Sequence, residues 1–316
     1  MVFRALAAGL LATALAGCLS YHVAPATPGD VTIAGSRVFP ESVTSDAAGN
    51  LYNSSNGGTI YRTLAGSRTA EPWIVPNAQN GLRSLFGVLV DKRRGFLFAC
   101  DNPNLFARET GKSYLVQFEL GTGRLMGRYE LPGDGPSACN DIAVAADESV
   151  WVSETSGGQI LKLSVDGQYF EVFARGEHLI GIDGLAFAED GTLYINNVRR
   201  NLLQRVLRKA DGSYAGLQDL KLPVALGGPD GLRPLGGNRF IQGEGSSGRV
   251  AVLEVSGDTV EMTDVATGLD GPVGVTVVGD TAYVVEGKIG YLIDPALRDK
   301  SPEPFMIRAF ALPERP

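Results

Sequence analysis

One pattern recurs six times along the 316-residue chain and constrains its fold more than any other feature. Each copy has a short apolar strand, a turn rich in Asp or Gly, and a second strand rich in Val, Tyr, Phe or Trp. DGLAFAEDGTLYINN, from Asp183, is an example. The apolar starts are Val43, Val88, Ile142, Leu185, Leu232 and Val275. Hairpins repeated every ~40–50 residues are typical of propeller blades, so the pattern predicts an all-β, six-bladed β-propeller.

Third and fourth strands complete the predicted four-stranded antiparallel blades around a central channel. Residues 159–163 and 170–173, for example, follow the third hairpin. A propeller has to close its ring, because an open sheet edge invites pairing with other chains. Residues 31–34 and residues 305–312 both suit the outer strand of the last blade. We expect residues 36–316 to form the propeller, and the sequence leaves the choice of closing strand open.

The charge of the chain limits its partners. The formal net charge is −7 and the isoelectric point is near 5.0. Nucleic acid is not expected as a partner, since phosphate binding needs a basic face. An acidic chain of ordinary composition is compatible with a bound cation. We expect a monomer that acts on a small molecule.

The first eighteen residues differ from the rest. A single early arginine precedes an apolar run that ends in Leu15-Ala16-Gly17-Cys18. The run is too short to cross a bilayer as a mature helix and has the form of a secretory signal. The ending resembles a bacterial lipoprotein signal, in which the cysteine becomes the lipidated N-terminus. An ordinary signal peptide with a chance cysteine is the alternative. We expect export to the periplasm and membrane anchoring through Cys18, with residues 19–35 as a tether and possible closing strand.

Export would place the chain in an oxidising compartment. Besides Cys18, only Cys100 and Cys139 remain. They could form one disulfide or remain two buried thiols, and the sequence favours neither.

A column of six residues, four of them with oxygen donors, stands two positions before the apolar starts. It reads Glu41, Phe86, Asn140, Asp183, Asp230 and Val273. In a propeller, equivalent positions of the inner strands surround the channel axis, so we expect these side chains to form a ring. The alternative is a solvated acidic rim, since charged side chains are mostly exposed.

Three carboxylates around one axis repel one another and raise each other's pKa values unless a cation neutralises them. The ring offers oxygen donors and no His or Cys. Such donors favour calcium, with magnesium or manganese as further candidates and zinc less suited. We therefore predict a divalent metal site formed by Glu41, Asn140, Asp183 and Asp230.

Several short motifs resemble the family of senescence marker protein, regucalcin and gluconolactonase, over roughly residues 36–295. They are Pro40-Glu41, Asn140-Asp141, Asp183-Gly184-Leu185 and Pro229-Asp230-Gly231. The resemblance implies a six-bladed propeller with a divalent metal in the channel that hydrolyses a lactone or related ester. It further implies metal ligation by Glu41, Asp183 and Asp230.

By the same resemblance, Asn140 contacts metal-bound water and substrate, and Asp230 is the general base. Two positions depart from the family. Asp183 stands where family members usually have Asn, and Ala138 stands where the sugar-lactone enzymes tend to have Arg. Gluconolactone itself is therefore not implied as the substrate.

Loops after the second strands should face the same channel mouth. We expect Glu154, Asn197 and Arg199 to contact substrate, and we expect His178 to be a surface histidine. The chain contains no G-x-S-x-G sequence, the motif that would indicate a serine nucleophile.

Two other readings remain. One is a lipid-tethered binding module with a structural ion and no activity, because propellers host many functions. The other is an arylesterase-like or strictosidine-synthase-like propeller. The strictosidine-synthase-like form would need no metal and would use a catalytic Glu.

Overall fold

The computed structural model describes residues 29–164, 166–300 and 302–314. The predicted signal peptide, Cys18 and most of the tether lie outside the described residues. Within the described ranges, helix is confined to α1 (Gly290–Ile293) and two 3₁₀ turns, Leu105–Ala107 and Glu177–Leu179. No described helix is long and apolar enough to cross a membrane. The chain is an all-β, propeller-like fold.

Twenty-four strands follow one another along the described chain. They are β1 (Val31–Ile33), β2 (Val43–Ser45), β3 (Leu51–Asn53), β4 (Ile60–Thr63), β5 (Thr69–Ile74), β6 (Ser84–Asp91), β7 (Phe96–Asn102), β8 (Tyr114–Glu119), β9 (Leu125–Glu130), β10 (Cys139–Val144), β11 (Val150–Glu154), β12 (Gln159–Leu163), β13 (Phe170–Arg175), β14 (Ile182–Phe187), β15 (Leu193–Asn197), β16 (Leu202–Arg208), β17 (Tyr214–Asp219), β18 (Pro229–Gly236), β19 (Arg239–Glu244), β20 (Arg249–Ser256), β21 (Thr259–Ala266), β22 (Pro272–Val278), β23 (Thr281–Glu286) and β24 (Phe305–Ala311).

The strands form five sheets. Four have four strands each in chain order, namely β6–β9, β10–β13, β14–β17 and β18–β21. The fifth has eight strands in the order β2-β3-β4-β5-β1-β24-β23-β22. The short hairpin turns predicted from the repeats connect the first two strands of each set, so their antiparallel pairing is confirmed.

Both candidates for the closing strand take part in the eight-stranded sheet. Strand β24 pairs antiparallel with β23, and β1 pairs antiparallel with β24 through Val31↔Ile307. The edge of β1 is then covered by a two-residue parallel pairing with β5. The N-terminal segment is therefore the outer strand and residues 305–311 lie one strand further in.

The core lies between neighbouring sheets. The six apolar repeat starts are each at most 1% exposed. They belong to successive hydrophobic clusters that join one sheet to the next. Cys100 on β7 and Cys139 on β10 form a disulfide between two adjacent sheets, with their Cα atoms 5.1 Å apart. Of the two states left open by the sequence, the structure has the disulfide.

Candidate functional site

The inner strands are irregular where they begin. In β10, the pairing passes from Cys139↔Glu154 to Ile142↔Val152, so one extra residue is inserted at Asn140-Asp141. The same shift falls at Asp183-Gly184 in β14 and at Asp230-Gly231 in β18. Strands β6 and β22 bulge at the equivalent place. A bulge re-aims side chains that a regular strand would alternate between its faces.

Glycines beside the bulges let neighbouring inner strands approach closely. A Cβ atom on Gly184 would lie 2.5 Å from the backbone oxygen of Asp230. A Cβ on Gly231 would lie 2.8 Å from the backbone oxygen of Val273. Only glycine fits such contacts without displacing the backbone. The Asp-Gly pairs at these positions therefore serve close packing around the axis rather than turns.

The bulges bring the predicted ring together. Glu41, Asn140, Asp183 and Asp230 all line one narrow cavity at the start of the inner strands, and so does Val273. Phe86 is absent from the lining, where Gly87 takes its place. The amide nitrogen of Asn140 donates to Asp183 Oδ2 at 2.9 Å and to Thr155 Oγ1 at 2.9 Å. Both amide hydrogens are thus engaged, which leaves the Asn140 side-chain oxygen for a ligand.

Burial and mutual repulsion disfavour charge on the ring carboxylates. Burial, followed by the charge of Asp141, raises the pKa of Asp183 from its ordinary 3.8 to about 8. Burial and the charges of Asp183 and Asp141 raise the pKa of Glu41 well above its usual range. Burial and the charges of Asp183 and Glu41 do the same for the pKa of Asp230. The protein alone therefore favours a proton on Asp183 near neutrality and disfavours the charged forms of Glu41 and Asp230.

A buried arginine lies below the ring and was not predicted from the sequence. Arg233, 7% exposed, donates to both oxygens of Asp141, at 2.7 and 2.9 Å. It also contacts Ser42 Oγ at 3.4 Å. Each ring position is followed along the chain by one residue, and four of these six residues are glycines: Gly87, Gly184, Gly231 and Gly274. The other two are Ser42 and Asp141, and the Arg233 guanidinium contacts both of them.

The donor set fits a hard divalent cation by its chemistry. It consists of three carboxyl groups and one amide oxygen, and Asp183 Oδ1 is buried without a hydrogen-bond partner. Oxygen donors of this kind are those that calcium and magnesium prefer. In the described part of the chain, however, no group of three or more His, Cys, Asp and Glu side chains is arranged to hold a metal ion. Binding one would require the carboxylates to lose protons and move.

Two predicted substrate contacts are placed elsewhere. Glu154 is fully buried, and its carboxylate accepts from the backbone nitrogens of Ala138 at 2.9 Å and Gly157 at 2.8 Å. Asn197 is also fully buried, donates to Ile180 O and accepts from the Arg199 backbone. Both side chains fix loops and neither lines the ring cavity, so their role in substrate contact stays a prediction. The residue that ends each second strand turns inward, which the sequence did not indicate.

The two remaining candidates are exposed. Arg199 lies at the surface after β15 and does not line the ring cavity. Its role in substrate contact stays a prediction. His178 is exposed, and its Nε2 lies 2.7 Å from the hydroxyl of Tyr214 on the outermost strand of its sheet. It is a surface histidine away from the ring, as expected.

Comparison with known proteins supports the fold. A model of the strictosidine synthase-like N-terminal family matches residues 32–63. No curated protein is significantly similar in sequence. Among solved structures, a putative gluconolactonase is 19% identical over 92% of this chain and 96% of its own, with a TM-score of 0.65. A gluconolactonase from Xanthomonas campestris is 19% identical over 88% of this chain and 87% of its own, with a TM-score of 0.63.

A third similar structure is virginiamycin B lyase from Staphylococcus aureus, solved as an inactive variant with quinupristin. It is 16% identical over 87% of this chain and 80% of its own, with a TM-score of 0.59. At these identities the likeness establishes a propeller fold shared with gluconolactonases and with a lyase. It does not distinguish between their activities, and it does not point to senescence marker protein in particular.

Proposed function

We propose that the protein hydrolyses a lactone or related ester at the channel mouth, with a divalent cation held by Glu41, Asn140, Asp183 and Asp230. The observation that carries this proposal is the convergence of four oxygen donors from four separate repeats on one cavity. Calcium is the first candidate, because all the donors are hard oxygens.

The chain's own residues have distinct parts in this reaction. A bound cation would supply carbonyl polarisation and lower the pKa of water. Asp230 would take the proton of the attacking water, as its carboxylate faces the cavity and its Oδ1 is steadied by the Gly231 backbone at 2.8 Å. Asn140 would orient the substrate through its side-chain oxygen, while Thr155 and Asp183 fix its amide.

We also infer six blades. The eight-stranded sheet divides into β2–β5 and the set β22-β23-β24-β1. Among the described residues, strand pairing joins the two sets only at the two-residue match of β1 with β5. Six sets of four strands then match the six sequence repeats.

Export and lipid anchoring at Cys18 stay proposals from the sequence, to be checked by membrane fractionation of the Cys18→Ser variant, which should be released.

The decisive test measures metal content and hydrolysis together. Purified protein is assayed by elemental analysis and then on a panel of lactones and aryl esters, with and without chelator. We expect bound calcium, activity that chelation removes and calcium restores, and a loss of at least ~100-fold in kcat for Asp230→Asn. The exposed Asp264→Asn, on β21, is the matched control and should retain full activity. Hydrolysis that survives both chelation and Asp230→Asn would overturn the proposal.

A cation-independent propeller is the second candidate. It is favoured by Arg233, a counter-charge already present among the carboxylates, and by the strictosidine synthase-like match at residues 32–63, which include Glu41. Activity in metal-free protein that depends on Glu41 would support it. Bound metal with no hydrolysis of any panel member would instead support the binding module with a structural ion.

A further inference from the structure

A second cavity at the same mouth is lined by three arginines. It has a volume of about 510 Å³, and Arg37, Arg108 and Arg298 line it together with Asn104, Phe106 and Tyr291. The three arginines come from three distant segments: the loop after β1, the loop after β7 and the segment after α1. No carboxylate is among the described lining residues, although the whole chain carries a net charge of −7.

The arginines are held by their surroundings. Arg37 Nη1 lies 3.5 Å from the backbone oxygen of Arg298, and its guanidinium lies 5.0 Å from the ring centre of Phe39. Its backbone nitrogen donates to Glu303 at 2.7 Å. Arg108 ends the 3₁₀ turn that the Asn104 side chain begins. These contacts fix the guanidinium of Arg37 and the backbone of Arg108.

The backbone at this cavity is strained. Arg37 has a φ of 50° and Arg108 a φ of 58°, both in the left-handed region that side chains other than glycine rarely adopt. Strain of this kind persists where the surrounding structure enforces it, and it clusters at functional sites.

The arginine cavity adjoins the acidic ring. Phe106, in its lining, packs against Phe86 of the ring column with ring centres 5.9 Å apart. Tyr291 packs on the hydrophobic cluster that contains Val273, which lines the ring cavity. The ring cavity is too narrow for an organic molecule. The arginine cavity lies within the ~300–1,000 Å³ typical of small-molecule sites.

We propose that the arginine cavity binds a compact oxyanion, a carboxylate or a phosphate monoester, carried by the substrate. Guanidinium groups match these anions through paired N–H donors. The arginine cavity would bind the anionic end of the substrate, while the ester of the same substrate lies at the acidic ring. Its place as a substrate subsite rests on the proposed hydrolysis, whereas anion binding itself does not.

Binding is tested on the full chain without catalysis. Calorimetry at low salt compares phenyl phosphate, benzoate and the neutral benzyl alcohol. We expect one or both anions to bind at least 10-fold more tightly than the alcohol, and the stronger of the two identifies the preferred group. Arg108→Gln/Arg298→Gln should weaken anion binding at least 10-fold. Arg124→Gln, an exposed arginine in the turn between β8 and β9, should leave it unchanged.

The outcomes distinguish a failure of the proposed anion site from a failure of the proposed hydrolysis. Anions that bind no better than benzyl alcohol, or equally well to the double variant and to Arg124→Gln, would overturn the anion site whatever the hydrolysis assays give. Anion binding by a wild-type protein that hydrolyses no ester of the panel would support the site and reject the reaction. Because Arg108 and Arg298 are exposed, the double variant should keep the wild-type Tm. If it does not, the single Arg298→Gln variant must show the same selective loss.

Discussion

Arg233→Met should destabilise the metal-free protein by about 3–5 kcal/mol, the typical cost of removing one partner of a buried ion pair. The structure places this residue at the upper end of that range. Arg233 and Asp141 are 7% and 3% exposed, and two hydrogen bonds of 2.7 and 2.9 Å join them. Methionine fills much of the same volume and supplies no donor.

The cost arises from the carboxylates that remain. Without the guanidinium, Asp141 is a buried charge facing Glu41, Asp183 and Asp230. Arg233 lowers the pKa values of Glu41 and Asp183, so its loss raises both further. The folded variant must therefore bind more protons, and its deficit should shrink as the pH falls from 8 to 5. A divalent cation supplies the missing positive charge, so calcium should also recover part of the loss.

Urea unfolding at pH 7.5 with chelator, followed by tryptophan fluorescence, measures the free energy of unfolding. Arg233→Met/Asp141→Asn should recover at least half of the loss, because no unpaired charge is left between them. Arg124→Met is the control: its pair with Glu119 is exposed, and we expect less than about 1 kcal/mol. An Arg233→Met variant as stable as this control would show that the buried pair does not balance the ring.

Three other predictions concern the same framework. Raising the pH from about 4 to about 8 should progressively destabilise the metal-free protein, because Asp183 has a folded pKa of about 8 against an ordinary 3.8; thermal unfolding across this range in chelator measures it, and a flat profile would contradict the raised pKa. Cys100→Ala/Cys139→Ala should lose up to about 4 kcal/mol from opening a loop of sequence separation 39, and reducing agent should lower the urea midpoint of the wild type alone. Gly184→Ala should cost about 1–3 kcal/mol because its Cβ would meet the backbone of Asp230, whereas Gly121→Ala, with open space around it, should be neutral in the same unfolding assay.

Features that recur in every repeat could be predicted from the sequence, whereas residues that occur in a single repeat were missed. Strand alternation has a fixed period, so one offset from each apolar start located Glu41, Asn140, Asp183 and Asp230 correctly around one cavity. The same offset does not reveal that the strands bulge there. Arg233 was missed because it follows its ring residue by three positions and reaches back toward the mouth. No other repeat carries such a residue.

The loops were predicted least well, for a physical reason. A side chain that ends a strand can turn outward to solvent or inward to cap the next loop, and composition does not separate the two. Glu154 turns inward because the backbone nitrogens of Ala138, Ser156 and Gly157 need an acceptor. The arginine cavity is assembled from three non-repeating segments, so no periodic pattern could have indicated it.

Protons and a cation compete for the same ring carboxylates. The Arg233–Asp141 pair is neutral as a unit, so Glu41, Asp183 and Asp230 leave up to three negative charges to be balanced. Burial and the neighbouring carboxylates raise the pKa values of all three, which favours balancing these charges with protons in the protein alone. A divalent ion that enters must displace those protons, so its affinity should rise with pH. Because burial and the charges of Asp183 and Glu41 raise the pKa of Asp230, cation binding would favour its ionised form. The event proposed to activate the ester would then also favour the form of Asp230 that can accept a proton from water.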